Sequence, residues 1–362
     1  MKKLYSLITL VILTTGAFKA SAQSSSDNGG GFDQLIKSSP GDATKLVQAF
    51  AEPLFKGFGV GLNSGWNNTA ATKKLLHFDL RITANVTQIP TAEQTFDVTK
   101  IGLSSHLTPD ASSPTNIAQT FAGDKNGAQP VLRINDDNGN KITSFKMPQG
   151  VIQNYVPAPD IQLTIGLVHH TDITIRTTPT INLGSNGGSV TMFGFGIKHD
   201  IIQDFAKKVP KPFDLAIAVN YNRITYTKGL SVQPDAGATP VPGQPTADFS
   251  TQHLNGVFSG VNVQAIISKR LLFFTPFASV GYQTANTDVG IYGNYPIQAT
   301  GTGQGTFYTV VKDPVHITET SIPGSMRADF GFQLNLLILR IYASYSVGGS
   351  YNSANAGVGL GF

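Results

Sequence analysis

Met326-Arg327-Ala328-Asp329-Phe330-Gly331-Phe332-Gln333-Leu334-Asn335-Leu336 alternates apolar with polar or small residues without a break. Extended to Ile338, the pattern has period two, the repeat of a strand whose successive side chains point to opposite faces. One face suits hydrocarbon and the other suits water. Soluble strands run to about five or six residues, whereas a tilted membrane-spanning strand needs about 9–11, so the length of this stretch selects a membrane sheet. The alternation resumes at Ile341, Ala343, Tyr345 and Val347, and again at Ala354, Ala356, Val358, Leu360 and Phe362, the last residue of the chain.

Working upstream, the same pattern recurs. Phe78, Leu80, Ile82, Ala84 and Val86 alternate with Asp79, Arg81, Thr83 and Asn85. Leu215, Ile217, Val219 and Tyr221 alternate with Asp214, Asn220 and Asn222, and Val257 to Ile267 faces Asn262 and Gln264. Segments 56–64, 95–103, 160–168, 171–183, 189–199 and 272–285 complete the candidates, with a hairpin at Asn135 to Asn140 as a barrel hairpin or a loop ornament. The fold class expected is all-β, a transmembrane antiparallel β-barrel of about 12–14 strands with a short N-terminal helix. In hydrocarbon an unpaired backbone amide costs several kcal/mol, so a sheet in lipid must close on itself.

Loop lengths point the same way. Counting back from Phe362, the connections alternate between tight (Leu339-Arg340, Ser268 to Leu271, His169-His170-Thr171) and open (Gly348 to Asn352, 286–325, 228–252, Leu183 to Gly188). Outer-membrane barrels put short turns in the periplasm and long loops outside. Only 200–212, with Lys207-Lys208, is longer than a periplasmic turn should be.

The N-terminus sets the compartment. Met1-Lys2-Lys3, an apolar run from Leu4 to Phe18, and Ala20-Ser21-Ala22 follow the order of a secretory signal peptide cleaved after Ala22. Domains follow as 1–22 signal peptide, 23–55 a periplasmic or plug segment, and 56–362 the outer-membrane barrel. Ser39-Pro40 forms an N-cap and first helical position, and Ala43, Leu46, Val47 and Phe50 recur at helical spacing, which gives a helix over 40–52 that stops at Pro53. Ile201 to Lys208 suggests one further helical turn.

Composition excludes several classes. Charged residues make up 13% of the chain and Gly contributes 38, against about 25% charge in an ordinary soluble domain. Three of the 26 basic residues (Lys2, Lys3, Lys19) lie in the signal segment, so the remainder nearly balances 22 acidic ones and no nucleic-acid footprint is present. The absence of cysteine excludes disulfides, thiolate metal sites and an N-terminal lipoprotein anchor. No apolar stretch beyond the signal approaches 20 residues, which excludes a helical membrane protein.

Candidate chemistry is sparse. His169 and His170 are strand neighbours that point apart and do not share a metal ion. Asp136, Asp137, Asn138 and Asn140 lack the late bidentate Glu of a calcium loop and read as a turn. Ser104-Ser105-His106 is the one local hydrolase candidate, and Gly301 to Gly305 lacks the strand-to-helix setting of a phosphate loop. No catalytic residue, metal or cofactor is assigned. Candidate lumen-lining residues are Asp214, Asn220, Asn222, Asn262, Gln264, Arg327, Asp329, Gln333 and Asn335.

The terminal strand with Val358, Leu360 and Phe362 resembles the C-terminal assembly signal of bacterial outer-membrane barrels, which implies the barrel-assembly machinery as a partner. Lys45 to Pro53, Gly57 to Asn63, Gly194 to Ile201 and Pro212 to Leu215 together resemble an uncharacterised family of outer-membrane proteins from Bacteroidota. A more distant likeness is to long-chain fatty-acid transporter-type barrels, on barrel size and a helical N-terminal segment. These resemblances imply the outer membrane and its lipid, and no substrate. The function expected is a channel or uptake protein for a small, unidentified solute. A hydrophobic solute is compatible with Phe273, Phe274, Phe277 and Tyr282 on both faces of one strand. The alternatives are a surface-binding or structural protein acting through loops 228–252 and 286–325, and a barrel hydrolase.

Overall fold

The computed structural model describes residues 39–362 apart from 153, 183–187, 206–210, 235, 245–246 and 300–306. The expected signal peptide, 1–22, and the rest of 1–38 lie outside the described residues. Ten strands form the barrel: β1 (Phe78–Gln88), β2 (Asp160–Gly166), β3 (Thr171–Asn182), β4 (Ser189–Asp200), β5 (Asp214–Gly229), β6 (His253–Ser268), β7 (Phe274–Tyr292), β8 (Val315–Leu336), β9 (Leu339–Gly348) and β10 (Tyr351–Gly361). Each pairs antiparallel with its neighbour in sequence, and β10 returns to β1 through a continuous register from Asp79↔Gly361 to Gln88↔Asn352. The terminal residue completes the seam. Phe362 and Phe78 exchange both backbone hydrogen bonds (3.2 and 3.0 Å), and their rings lie 5.2 Å apart. No barrel strand is left with an open edge.

The outer face is apolar where strands cross. One hydrogen-bonded row runs Ile161, Ile82, Val358, Ile341, Leu334, Phe274 across six strands, from β2 through β1, β10, β9 and β8 to β7. On β1 the burial alternates strictly, with Leu80, Ile82 and Val86 exposed and Asp79, Arg81, Thr83, Asn85 and Thr87 buried. An interior more polar than the exterior inverts a soluble protein and fits a barrel in lipid. Replacing Ile82, near the middle of β1, with Arg should therefore cost about 2–4 kcal/mol in urea unfolding measured in lipid vesicles, and close to nothing at an interfacial position such as Gln88.

One end of the barrel carries tight connections. His169 and His170, both at positive φ (54° and 52°), make the β2–β3 turn, and Leu337-Ile338 makes the β8–β9 turn, two residues earlier than the Leu339-Arg340 expected from sequence. The 201–213 connection at this end contains the short helix α2 (Ile202–Phe205). We call this the turn end. At the opposite, loop end sit 230–252, 293–314 and above all 89–159, which folds as a cap with its own short strands. The loop between β7 and β8 is shorter than the expected 286–325, because β7 runs on to Tyr292 and β8 begins at Val315, and it carries the antiparallel pair Asn294–Ala299 and Phe307–Lys312.

Three sequence expectations change. Segment 56–64 is not a strand: the N-terminal helix α1 runs Pro40–Asn63, through Pro53 and past the expected end at residue 52. Ser39 caps it by accepting from the Asp42 amide (3.3 Å). Pro53 removes one helical hydrogen bond, yet the helix continues to Asn63. Segment 95–103 contributes only Thr95–Asp97, paired with Ile117–Gln119 in the cap, and the Asn138-Gly139 hairpin joins Val131–Asn135 to Lys141–Lys146 in another cap sheet. With these removed from the wall, ten strands close the barrel instead of 12–14.

Candidate functional site in the barrel lumen

α1 contacts β1, β5, β6, β7, β8 and β10, so it lies inside the barrel. No helix among the described residues is long and apolar enough to cross a membrane by itself. Its first turns pack into the cap, where Ala43, Leu46 and Val47 share a buried cluster with cap residues Val98, Leu107, Leu132 and Phe145 and with Ile291, Tyr295 and Ile317 at the loop end. Asp42 accepts from the Ser104 amide (2.8 Å) and hydroxyl (2.5 Å), and Lys45 donates to the Gly102 carbonyl. The Ser104 hydroxyl is thereby committed to the helix, while His106 lies 3.4 Å from the Asn135 carbonyl, so these residues form no nucleophile–base pair.

The lower half of α1 meets the wall through glycine. A Cβ on Gly57 would lie 2.5 Å from Val156 Cγ2, in the short strand Tyr155–Pro157 that pairs with β1 where the cap rejoins the wall, and one on Gly59 would lie 2.7 Å from the Ala285 Cβ. Close approach of backbone to wall explains the alternating Gly57-Phe58-Gly59-Val60-Gly61-Leu62. That spacing imitates a strand because its period is two, but the glycines mark contact with the barrel.

A helix ends with unpaired carbonyls and a partial negative charge. Here the wall supplies the donors. The Leu62 carbonyl accepts from Asn222 Nδ2 (2.5 Å), Trp66 Nε1 (3.1 Å) and Arg176 Nη1 (3.2 Å). Asn262 donates to the Asn63 carbonyl (2.9 Å), and Arg176 donates twice to that of Ser64 (3.2 and 3.3 Å). Arg81 Nη2 reaches the Gly65 and Trp66 carbonyls (2.5 and 2.6 Å), and Gln162 also donates to Trp66 (3.1 Å). The turn needs Gly65 at φ +66°, where a Cβ would also meet Asn85 Oδ1 at 2.8 Å. The Arg176 guanidinium stands 4.0 Å over the Trp66 ring.

Acidic groups balance the arginines. Asp160 Oδ1 is 3.4 Å from Arg176 Nε, and Asn85 donates to its other oxygen (2.6 Å). Arg327 donates to Asp329 (2.6 Å), Gln283 (2.9 Å) and the Ser64 hydroxyl (3.1 Å). Below, the chain descends toward the turn end, where Lys198 donates to the Thr69 and Ala71 carbonyls (3.1 and 2.9 Å) and pairs with Asp172 (3.2 Å). In the cap, outside the bilayer, hydrogen bonds from Lys141 and from the Ser112 amide and hydroxyl hold the Asp110 carboxyl well below the usual carboxylate range.

Among the sequence candidates, Asn220, Asn222, Asn262, Gln264, Arg327 and Asp329 are buried in the interior, and three of them (Asn222, Asn262, Arg327) touch the helix end directly. Asp214, Gln333 and Asn335 are half-buried nearer the turn end, and Gln333 donates to Asn335 (2.6 Å). Val358 on β10 and Phe362 just beyond its end are both exposed. The strongest grips, Arg81 and Arg176, together with Asp160, Gln162 and Trp66, were not among the candidates. Arg81 lies on the polar face of the 78–86 alternation and Arg176 on the polar face of β3, opposite Ile173 and Ile175, so periodicity locates both as inward without showing what they hold. Among the described residues no group of three or more His, Cys, Asp or Glu is placed to hold a metal ion.

A family profile described as Family of unknown function (DUF6588) matches residues 1–362. The chain belongs to the DUF6588 family. No curated protein matches the sequence. Solved structures similar to this DUF6588 protein include the outer membrane protease OMPT from Escherichia coli, at 9% identity over 83% of this chain and 100% of that one, with a TM-score of 0.31. The translocator domain of the autotransporter NalP from Neisseria meningitidis gives 12% identity, 85% and 93% coverage, and 0.26. A Pseudomonas aeruginosa FadL homologue gives 13%, 84% and 95%, and 0.24. At TM-scores below 0.5 these likenesses carry no argument about what this chain does.

Proposed function

We propose that this DUF6588 protein is an outer-membrane barrel, closed at rest by α1, that admits a small solute when the lower part of the helix leaves the lumen. The turn end faces the periplasm and the loop end the outside, following the loop asymmetry of such barrels. Outer-membrane lipid surrounds the apolar belt, and the β10 strand with Val358, Leu360 and Phe362 is read by the assembly machinery. The observation that carries the reading is the chemistry of the plug's lower contact. Wall side chains hold it by hydrogen bonds to main-chain carbonyls, and Asn85, Asn222, Asn262 and Asn355 each bury a side-chain oxygen without a protein partner. Groups of this kind exchange protein for water at modest net cost, unlike an apolar core. The wall behind the plug, with Asp160, Gln162, Asn222, Asn262 and Asp329, suits a polar solute better than the greasy one considered from sequence.

Planar-bilayer recording tests the reading. The intact protein should be closed with rare openings, and a variant lacking residues 40–63 that remains heat-modifiable should conduct steadily. A plug-free barrel that is equally silent removes the channel. A second reading, surface binding, is favoured by the cap, which packs into a buried cluster shared with the first turns of α1 and the loop ends of the strands instead of hanging as loose loops. Deleting the cap while the barrel stays heat-modifiable should then abolish adherence of cells, and unchanged adherence would remove this reading.

A further inference from the structure

We propose that the outer face of the barrel holds the phosphate of an anionic lipid at Arg223, in a groove between β5 and β8 at the loop-end edge of the apolar belt. The site is independent of whether the lumen opens. Arg81, Arg133, Arg176, Arg270, Arg327 and Arg340 each donate to a protein oxygen. The Arg223 side chain, exposed on the outward face of β5, has no hydrogen-bond or ion-pair partner among the described residues. Its depth is set by the strand. Arg223 lies nine residues from Asp214, where β5 starts at the turn end. With a rise of about 3.3 Å per residue and a tilt of about 40°, that is roughly 23 Å of height, against an apolar band of about 25 Å. The register shows the same boundary. One outward row reads Phe195, Tyr221, Val261 across β4, β5 and β6, and the next row toward the loop end reads Phe193, Arg223, Ser259 and, on β7, Asn286. Hydrocarbon ends between these rows, at the level of lipid phosphates.

The wall is recessed at this level. Ser259 is short between two longer neighbours, and a groove of about 300 Å³ opens there, lined also by Tyr221, Arg223, Asn286, Asp288 and Thr318. Asp288 is the one acidic group in the lining, and it is engaged by His316 (3.0 Å), which leaves the Arg223 cation unneutralised. A guanidinium at the edge of hydrocarbon is best satisfied by a phosphate, which accepts two parallel N–H donors from it. Asn286, across the groove, supplies an amide donor for the phosphate or glycerol oxygens. Toward the turn end, exposed Val219, Val261 and Val263 offer apolar surface to the acyl chains. The groove therefore carries both halves of a phospholipid in their membrane order, chains against the valines and phosphate against the arginine.

Native mass spectrometry of the detergent-purified protein, titrated with phosphatidylglycerol, tests the site. The wild-type protein should retain the lipid, and Arg223→Gln should weaken that retention about five-fold, the contribution of one cation at an anionic lipid surface. Ser259→Trp, which fills the groove and keeps the arginine, should weaken it as well. Lys312→Gln, which removes an exposed cation elsewhere at the loop end, should not. Diacylglycerol, which has the chains without the phosphate, should not be retained. Heat-modifiable mobility certifies that each variant is folded, and Arg223→Gln carries the test alone if Ser259→Trp does not fold. Equal retention by the wild type and Arg223→Gln overturns the proposal. So does an equal loss in Lys312→Gln, which would assign the binding to surface charge in general. Displacement of the lipid by an equal concentration of inorganic phosphate also overturns it, because the site would then be one for the free anion.

Discussion

Replacing Gly59 with leucine should convert a closed barrel into a conducting one without unfolding it. The Cβ alone would stand 2.7 Å from the Ala285 Cβ and 3.1 Å from Ile322 Cδ1, both parts of the wall, and leucine adds three further carbons to that contact. Overpacking of even a methylene or two typically costs about 1–3 kcal/mol. The helix has a cheaper response than distorting ten hydrogen-bonded strands: its lower half can shift away from the wall and give up its contacts with Asn222 and Arg176. Single-channel conductance should rise from rare openings to a sustained open level, while the protein keeps its heat-modifiable mobility on gels. Gly59→Ala should give an intermediate opening, since only the first carbon of the clash is present. A Gly59→Leu protein that stays closed in lipid would mean that the helix does not gate the lumen.

The second large effect belongs to Arg176. It is among the most deeply buried side chains of the protein, it donates to two carbonyls at the helix end, and it faces Asp160. Arg176→Met leaves Asp160 in the interior without its cation and returns the Leu62 and Ser64 carbonyls to fewer partners. Breaking a buried pair from one side costs about 3–5 kcal/mol, whereas replacing both members by apolar groups is often close to neutral. Urea unfolding in vesicles should therefore show a loss of about 3–5 kcal/mol for Arg176→Met. The double variant Arg176→Met with Asp160→Leu should recover part of it, the remainder being the lost grip on the helix. Equal losses in the single and double variants would show that Asp160 is not the partner that matters.

The outward half of this fold is legible in sequence, while of the inward half the polar positions are legible and their partners are not, for a physical reason. Every outward position meets the same hydrocarbon, so Leu80, Ile82, Val358 and Phe330 repeat one chemistry, and the belt is readable strand by strand. The inward positions meet a helix whose first turns are read from the spacing of Ala43, Leu46, Val47 and Phe50, but whose lower half the pattern does not reveal. Wall residues such as Asn222, Asn262 and Arg176 bind it through main-chain carbonyls, and a carbonyl leaves no mark on the sequence of the segment that offers it. Gly57, Gly59 and Gly61 do leave one, but glycine spaced by two reads as a strand until the wall pressed against it is seen. The cap inflated the strand count for a related reason: short pairs such as Val131–Asn135 with Lys141–Lys146 have strand chemistry without the length to span a bilayer.

Trp66 offers the most direct measurement of the central claim, that an apolar-belted barrel holds its own chain inside the lumen. It is the sole tryptophan of the protein, 2% exposed at mid-barrel, with its ring under Arg176 and its indole nitrogen donating to Leu62. In folded protein reconstituted in lipid, its emission should be blue-shifted and nearly immune to acrylamide, and Gly59→Leu should make it quenchable without unfolding the barrel. Quenching of the native, heat-modifiable protein at the rate of a free indole would contradict the account.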